Sequence, residues 1–435
     1  MDNRKSPSLF RRGMIETRPH KTQERALLIG LEKEGVSKWD LRNSLEELRE
    51  LANSAGAEVV DTITQKLQKP TAPYYIGKGK AELIRDSFQQ REVTSVIFDD
   101  ELSPAQGRNL EMLLSRKVLD RTQLILDIFA QRARSREGRL QIELAQLQYL
   151  LPRLTRMWHH LSRQTGGIGT RGPGETQLEV DRRRVQERIA RLERELEAVR
   201  RTRAVQRQGR KRHQWPVAAV VGYTNAGKST LLNLLTGADV IAADRLFATL
   251  DPTTRSFALP NKQRVLLTDT VGFLRKLPHT LIESFKATLE EVHEADLLIH
   301  VVDLSHPRVN EQMEAVDNVV KELDAFGKQT VIVFNKIDNL KNRELIEAYV
   351  QRFPGSVAIS ARTGEGINQL VQTLQKALAS WRLRLQFRVP VNESALIAEI
   401  HRAGHILELR YEGDDALIVA HVPPHLEAKL AQYSH

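Results

Sequence analysis

The sequence predicts an α/β fold in three parts: an N-terminal α/β domain with an antiparallel helical hairpin, a larger domain with a mainly parallel sheet, and a small C-terminal α/β domain. Three observations support this prediction. Short apolar runs alternate with helical patterns over residues 25–135, and leucines recur every three or four residues on both sides of a glycine-rich stretch. From Trp215 onward, continuous apolar strands alternate with helices, which is typical of a parallel sheet covered on both faces.

The N-terminal α/β subdomain is expected at residues 25–138, after a basic tail over residues 1–24 that we expect to be disordered. The tail has no apolar segment, so it does not resemble a signal peptide. Strands are predicted within RALLIGLE, AEVVDTI, VTSVIFDD and RKVLD, with helices over 39–55, 79–91, 104–115 and 121–135. The turn YYIGKGKAEL (74–83) could bind an anion, although such a turn more often only begins a helix.

A helical hairpin is predicted at residues 139–212, with a glycine-rich tip at 166–174. Apolar residues follow spacings of four and three in the first arm, and the second arm does much the same, as in the seam of a coiled coil. These residues are Leu140, Leu144, Leu147, Leu151, Leu154, Trp158 and Leu161, then Leu178, Val185, Ile189, Leu192, Leu196 and Val199. The short glycine loop makes the arms antiparallel, and Pro152 should kink the first of them.

The net charge of +10 is concentrated in this hairpin. Residues 151–212 contain 17 Lys and Arg against 7 Asp and Glu, whereas the rest of the chain is balanced. Such a segment is the electrostatic signature of a polyanionic partner. The alternative is a solvated helix face on which Glu and Arg pair with one another.

Composition excludes several functional classes. The chain has no cysteine, which excludes disulfides, thiolate metal sites and cysteine nucleophiles and fits a reducing cytosol. No apolar run approaches the ~20 residues that a membrane helix requires. We therefore expect a soluble, cytoplasmic protein that needs no membrane, and a monomer, because no feature indicates an obligate dimer.

The domain at residues 213–380 begins with a phosphate-binding loop. The stretch GYTNAGKS (222–229) satisfies G-x-x-x-x-G-K-[ST] directly after a strand and before a helix over 228–236, which is the context that the motif requires. The glycines and the helix N-terminus direct backbone N–H groups at the phosphates. Lys228 should lie against the β- and γ-phosphates, and the Ser229 hydroxyl should bind Mg²⁺.

A segment that switches with the nucleotide is expected between this loop and DTVG. RLFATLDPTTRSF offers Thr249, Thr253 and Thr254, any of which could place a hydroxyl on Mg²⁺ when GTP is bound. LLTDTVGF then ends a strand at Asp269, whose carboxylate can hold the Mg²⁺ water shell. The Gly272 N–H can reach the γ-phosphate.

The base-binding motifs select guanine. In VIVFNKID, the Asp338 carboxylate can accept from both N1–H and the 2-amino group of guanine, a pair of donors that adenine lacks. Asn335 would steady the base and the loop, and the stem of Lys336 can lie along the ring. The backbone of Ser360, Ala361 and Arg362 can meet guanine O6. The order of these motifs at strand ends predicts a GTP site.

Two positions bear on hydrolysis. Phe273 follows DTVG where many GTPases have a glutamine that orients the attacking water, so intrinsic hydrolysis should be slow. The missing groups must come from elsewhere in the chain or from a partner. Asn225 in the phosphate loop resembles the asparagine of potassium-stimulated GTPases, which makes K⁺ a candidate cofactor.

Together, GYTNAGKST, FATLDPTTR, DTVGF, NKID and SAR, preceded by GGIGTRGPGE, resemble the HflX family of bacterial GTPases. The similarity covers nearly the whole chain, including YIGKGK, FDDELSPAQGRNLE and LQIELAQLQYLLPRL. It implies a P-loop GTPase domain after the hairpin and a small C-terminal α/β domain at residues 381–435. It also implies a factor that binds the large ribosomal subunit, is stimulated by it to hydrolyse GTP, and splits stalled 70S ribosomes, notably under heat stress.

The resemblance assigns roles by motif. It implies that Lys228 and Gly272 act in catalysis, and that Ser229 and Thr249 are the Mg²⁺ ligands, with Thr253 as second choice. The residues implied to bind the nucleotide are Gly222, Tyr223, Thr224, Asn225, Ala226, Gly227, Lys228, Ser229, Thr230, Phe247, Ala248, Thr249, Leu250, Asp251, Asp269, Thr270, Val271, Gly272, Asn335, Lys336, Asp338, Ser360, Ala361 and Arg362.

The second glycine-rich stretch lacks the GK[ST] ending and lies between coiled-coil arms, so it is the hairpin tip and not a phosphate loop. In the family this tip reaches toward the peptidyl-transferase centre. Contacts with rRNA are expected from Arg163, Arg171, Arg182, Arg183 and Arg184. Two alternatives stay open: a large-subunit assembly GTPase, and an ATP-driven rRNA-remodelling factor that uses the GKGK turn at 77–80 as a second nucleotide site.

Overall fold

The computed structural model describes residues 24–154, 173–211, 215–237, 247, 249–276, 291–379, 383–422, 426 and 429–433. Nearly all of the expected tail over residues 1–24 and most of the tip at 166–174 lie outside these ranges, as do Trp158, Leu161, Arg163, Arg171 and Ala248. Within the described ranges, no helix is both long and apolar enough to cross a membrane.

The N-terminal domain is built on a four-stranded parallel sheet in the order β2-β1-β3-β4. Its strands are β1 (Arg25–Glu32), β2 (Glu58–Lys66), β3 (Ser95–Phe98) and β4 (Lys117–Asp120). Its helices are α1 (Lys38–Ala55), α2 (Lys78–Asp86), α3 (Phe88–Arg91), α4 (Pro104–Leu114) and α5 (Arg121–Arg132). The predicted α/β pattern is confirmed. The one helix predicted over 79–91 is broken at Ser87, whose hydroxyl donates to the Ile84 carbonyl at 2.7 Å and so competes with helix continuation.

Helices α1 and α4 begin where the sequence provides capping side chains. The Ser37 hydroxyl accepts from the Asp40 N–H at 3.0 Å before α1, and Gly56 ends that helix in the left-handed region at φ 92°. Before α4, Ser103 and Gln106 form a reciprocal capping box. Local chemistry therefore fixes the ends of both helices.

Helices α6 (Arg136–Leu154) and α7 (Pro173–Lys211) form the predicted hairpin arms. Glu143 in α6 pairs with Arg188 in α7 at 2.8 and 2.9 Å. Leu140, earlier in α6, packs on Leu192 and Leu196, later in α7, so the arms run antiparallel. Pro152 lies inside α6, and α7 begins at Pro173, so the last two residues of the predicted tip are helical.

The P-loop domain has a six-stranded sheet in the order β10-β9-β8-β5-β7-β6. The strands are β5 (Val217–Gly222), β6 (Thr253–Ala258), β7 (Arg264–Asp269), β8 (Leu297–Asp303), β9 (Thr330–Asn335) and β10 (Val357–Ala358). The helices are α8 (Lys228–Thr236), α9 (Val309–Glu322), α10 (Arg343–Arg352) and α11 (Ile367–Ala377). All neighbouring strands are parallel except β6, which pairs antiparallel with β7 at the sheet edge. The mainly parallel sheet is confirmed.

The C-terminal domain contains an antiparallel sheet in the order β11-β13-β12. Its strands are β11 (Leu383–Pro390), β12 (His405–Glu412) and β13 (Asp415–Val422), and helix α12 (Ser394–Ala403) packs on them. The described residues after Val422 are helical at Leu426, Lys429 and Leu430, and a 3₁₀ turn follows at Ala431–Tyr433.

The N-terminal and P-loop domains share one hydrophobic core. A single cluster of buried side chains includes Leu45 of α1 and Phe129 of α5 from the first domain, with Tyr223, Phe247 and Val316 from the second. Burial of apolar surface stabilises by about 25 cal/mol per Å². The two domains are therefore held together by the same force that folds each of them.

Candidate nucleotide-binding site

The phosphate loop lies between β5 and α8 and requires glycine at both ends. A Cβ at Gly222 would lie 2.2 Å from the Val301 carbonyl oxygen of β8. Gly227 has φ 93°, and a Cβ there would lie 2.3 Å from the Asn335 Nδ2 atom. Any larger residue would displace the loop from the strands that support it, so both positions require glycine.

Lys228 lies buried in the loop, with 7% of its surface exposed. Its Nζ donates to the carbonyl oxygens of Gly222 at 3.2 Å and Tyr223 at 2.8 Å. Burial lowers its pKa to about 8, against the opposing effect of the Asp269 carboxylate. A phosphate at the loop would be a strong partner for this cation.

Three oxygen atoms converge beside Lys228. The Ser229 hydroxyl is 2.7 Å from Asp269 Oδ2, the Thr249 hydroxyl is 2.8 Å from the same atom, and the two hydroxyls are 2.8 Å apart. Burial raises the pKa of Asp269, while Lys228 and the two hydroxyls favour its ionised form. Hydroxyl and carboxylate oxygens are the hard donors that Mg²⁺ prefers. The residues predicted for the metal therefore suit it chemically.

Thr253 and Thr254 are both in strand β6. Thr253 is opposite Asp269 in the antiparallel register, and the Thr254 hydroxyl is 3.0 Å from that of Thr268. Thr249 is the threonine of this segment whose hydroxyl meets Ser229. The geometry favours the first choice over the second.

The DTVG segment is hydrogen-bonded to the phosphate loop. The Phe273 N–H donates to the Gly222 carbonyl at 3.1 Å, and the Thr224 N–H donates to the Phe273 carbonyl at 2.9 Å. A Cβ at Gly272 would lie 2.8 Å from the Thr224 methyl and 3.0 Å from Lys228 Nζ. The Phe273 side chain is 1% exposed and packs in the shared core, so it cannot orient a water molecule.

The guanine motifs meet at the ends of β9 and β10. Asn335 is buried and acts as a strut: its Nδ2 donates to the Ala226 carbonyl at 2.8 Å, and its Oδ1 accepts from the Ala361 N–H at 2.9 Å. Asp338 Oδ1 accepts from the Ser360 hydroxyl at 2.7 Å, and its other oxygen pairs with Arg362. The structure thus brings the predicted base residues to the phosphate loop.

Lys336 has a partner that the motifs did not indicate. Its Nζ lies 2.8 Å from the Asp303 carboxylate at the end of β8. Lys336 itself is in the left-handed region at φ 63°. The pair fixes Lys336 between the ends of β8 and β9.

Some residues predicted to bind the nucleotide instead direct their side chains toward the N-terminal domain. The Tyr223 hydroxyl donates to Glu47 of α1 at 2.6 Å, and the Phe247 ring packs edge-on against Phe129 with centroids 4.5 Å apart. The Asp251 carboxylate bonds to the corner between α5 and α6.

Sequence reasoning missed the polar groups of the N-terminal domain that contact the nucleotide domain. Arg121 is fully buried, and its guanidinium lies 2.8 Å from Glu47 and 2.9 Å from Asp99. Burial alone would lower its pKa, but these carboxylates outweigh that effect and raise it. Lys276, just after DTVG, lies 2.6 Å from Asp99. Asp99 lies in the stretch FDDELSPAQGRNLE, but nothing in that stretch indicated that Arg121 and Lys276 would be its partners.

The other glycine-containing turn is bound within its own domain. The Gly77 N–H, at the start of α2, donates to Gln65 Oε1 at 3.0 Å. A Cβ at Gly77 would lie 3.0 Å from Gln65 Nε2, so the turn packs directly on β2. This contact fits a tight helix start.

Comparison with known proteins decides the family. The profile described as "GTP-binding GTPase N-terminal" matches residues 42–130, "GTP-binding GTPase Middle Region" matches 132–210, and "50S ribosome-binding GTPase" matches 217–336. A protein of Lacrimispora saccharolytica named GTPase HflX is 48% identical over 409 residues, which cover 94% of this chain and 96% of that protein. The chain belongs to the HflX family of GTPases. The GTPase HflX of Escherichia coli is 48% identical over 359 residues, 82% of this chain and 84% of that one.

Solved structures similar to this HflX-family chain include SsGBP in complex with GDP, with 27% identity and a TM-score of 0.47 over 81% of this chain and 98% of that one. A GTP-binding protein from Sulfolobus solfataricus in complex with GDP has 25% identity and a TM-score of 0.44 over 82% and 99%. By its HflX relatives and its P-loop GTPase domain, the chain is a GTPase.

Proposed function

We propose that this HflX-family GTPase binds the large ribosomal subunit through its basic hairpin and splits stalled ribosomes in its GTP-bound form. The hairpin carries a charge surplus equal to that of the whole chain. Arg182, Arg183 and Arg184 lie exposed on α7. Phosphate contacts from such arginines dominate affinity for RNA. Arg163 and Arg171, near the tip, are proposed to add contacts there.

The observation that carries the proposal is the direct connection of this basic hairpin to the candidate nucleotide site. Arm α6 follows α5, whose Phe129 packs against Phe247 of the nucleotide domain, and α7 pairs with α6. The profile that matches the nucleotide domain is described as that of a 50S ribosome-binding GTPase. A nucleotide-controlled contact with ribosomal RNA accounts for both features.

Magnesium would be held by Ser229 and Thr249 together with the nucleotide phosphates, with Asp269 supporting its water shell. The ion would neutralise charge on the β- and γ-phosphates. Lys228 would bind the same phosphates, and the Gly272 N–H would sense the γ-phosphate. The Asn335–Asp338 pair would hold guanine.

Hydrolysis should depend on the ribosome because Phe273 leaves the attacking water without a side chain to orient it. We expect slow GTP turnover by the protein alone and a strong increase with purified large subunits, measured as phosphate release at saturating GTP. Small subunits added at the same concentration are the control. Equal rates with and without large subunits would contradict this part of the proposal.

The splitting activity is tested on sucrose gradients. Purified 70S ribosomes are mixed with the protein and GTP, a non-hydrolysable GTP analogue, or GDP. We expect conversion to separate subunits with GTP or the analogue and intact 70S particles with GDP. Binding to free large subunits with no loss of 70S particles would overturn splitting and favour the assembly-factor alternative.

A further inference from the structure

The Asp251 carboxylate in the nucleotide-binding domain is bound by the base of the hairpin. Its Oδ2 accepts from the N–H groups of Arg134 and Ser135, both at 2.8 Å. Its Oδ1 bonds to the Ser135 hydroxyl, which in turn accepts from the Gly138 N–H at 2.9 Å. These N–H groups belong to the first turn of α6 and the residues just before it, where helix donors have no partner in the helix. A carboxylate there is also favoured by the helix dipole.

The space for this carboxylate exists only because residue 138 is glycine. A Cβ at Gly138 would lie 2.5 Å from Asp251 Oδ1 and 3.0 Å from the Ser135 hydroxyl. Gly138 is inside helix α6, where alanine is favoured over glycine by about 1 kcal/mol. The glycine thus opens a pocket at the start of α6, in the N-terminal domain, and this pocket fits the Asp251 side chain of the nucleotide-binding domain.

Asp251 is two residues from Thr249, whose hydroxyl is 2.8 Å from both Ser229 and Asp269. Two neighbouring residues, Leu250 and Phe247, are also packed against the N-terminal domain. Leu250 is 3% exposed in the shared core, and Phe247 packs against Phe129 of α5. The segment that carries the predicted Mg²⁺ threonine is therefore attached to α5 at Phe247, to the shared core at Leu250, and to the start of α6 at Asp251.

We propose that Asp251 is a positioning residue that fixes Thr249 for Mg²⁺ by anchoring this segment to α6. The arm extends 19 residues, about 28 Å, from the anchor. A shift of α6 when the hairpin meets its partner would move the anchor, and the threonine with it. This inference extends the proposed function, because it connects the proposed RNA-binding arm to the nucleotide.

The test compares three full-length variants with the wild type. Asp251→Ala removes the anchor from the nucleotide side. Gly138→Ala fills its pocket from the hairpin side and leaves the nucleotide domain untouched. Gly107→Ala is the matched control, since Gly107 is also a helical glycine of the N-terminal domain, but a Cβ there meets nothing within 4 Å. Affinities are measured for a non-hydrolysable GTP analogue and for GDP, each with Mg²⁺ and with EDTA.

We expect Asp251→Ala and Gly138→Ala to weaken the analogue by about tenfold or more with Mg²⁺, as for the loss of charge-assisted hydrogen bonds. For both variants, GDP affinity and all affinities measured in EDTA should stay within about twofold of the wild-type values under the same condition. Every affinity of Gly107→Ala should also stay within about twofold of wild type. An unchanged ratio of analogue to GDP affinity would overturn the proposal. An equal loss for GDP would also overturn it, because the contact would then support the fold alone. Wild-type protein that failed to bind the analogue would instead refute the nucleotide site.

Discussion

The Tyr223 hydroxyl in the phosphate loop donates a 2.6 Å hydrogen bond to the Glu47 carboxylate of α1, in the other domain. The same hydroxyl accepts from the Arg275 N–H at 3.0 Å, just after DTVG. Burial, and then the Glu47 charge, raise the Tyr223 pKa, so the phenol stays protonated and remains a donor. One tyrosine therefore connects the phosphate loop, the segment after DTVG and the N-terminal domain.

Arg121 should be essential to this interface. Arg121→Met would leave the Glu47 carboxylate buried without its cation, which costs about 3–5 kcal/mol of folding free energy. Tyr223→Phe removes one hydrogen bond to a charged group and should cost about 1.5–3 kcal/mol. Both are measured by urea unfolding, with Tyr411→Phe, a tyrosine exposed on β12, as control. A cost for Arg121→Met no larger than that of the control would show that the pair contributes nothing.

Asp338 should determine base specificity. Asp338→Asn removes the carboxylate that accepts from guanine N1–H and the 2-amino group, so GTP affinity should fall about a hundredfold or more while affinity for XTP rises. Equilibrium binding of fluorescent GTP and XTP measures both. Asp415→Asn, in the C-terminal sheet, is the matched control. Unaltered GTP affinity in Asp338→Asn would exclude this assignment.

Nucleotide binding should take up a proton at Lys228 in mildly alkaline solution. Its pKa in the free protein is about 8, and phosphate oxygens stabilise the ammonium, so binding raises the pKa. Affinity should therefore fall as pH rises above about 8, with uptake of about 0.2 proton at pH 7.5 and about 0.8 at pH 8.5. His300, whose pKa is lowered by burial and Lys228 to about 4, stays neutral throughout.

Calorimetry in two buffers of different ionisation enthalpy measures this uptake. The number of protons bound per GDP should increase between the two pH values. A constant number would mean that Lys228 keeps its proton in the free protein.

The arginines of α7 should set the salt dependence of ribosome binding. Replacing Arg182, Arg183 and Arg184 by alanine should weaken binding and reduce the slope of log affinity against log salt by about 0.9 for each lost phosphate contact, taking duplex DNA as a guide. Co-sedimentation with large subunits over a salt series measures the slope. A triple variant at Arg42, Arg85 and Arg343, exposed arginines of the N-terminal α/β subdomain and the P-loop domain, should keep the wild-type slope. The same slope in both triple variants would exclude the α7 arginines as phosphate contacts.

The sequence by itself determined the fold class and the nucleotide motifs. Gly227 with φ 93°, Lys228 at the start of α8 and Asp269 at the end of β7 are placed by short-range signals. Such signals are local: a glycine tolerates a left-handed backbone, and a strand ends where its apolar run ends. Because parallel strands all end at one sheet edge, distant motifs were predicted to meet, and Asn335 and Ala226 do so at 2.8 Å.

Only the tertiary structure decided which side chains join the domains. Ser135 and Asp251 are 116 residues apart, and Glu47 and Tyr223 are 176 apart. Neither pair has a spacing or a motif that marks it, because each contact depends on how two separately patterned surfaces fit together. Local chemistry specifies the nucleotide site, and domain docking specifies what that site is connected to.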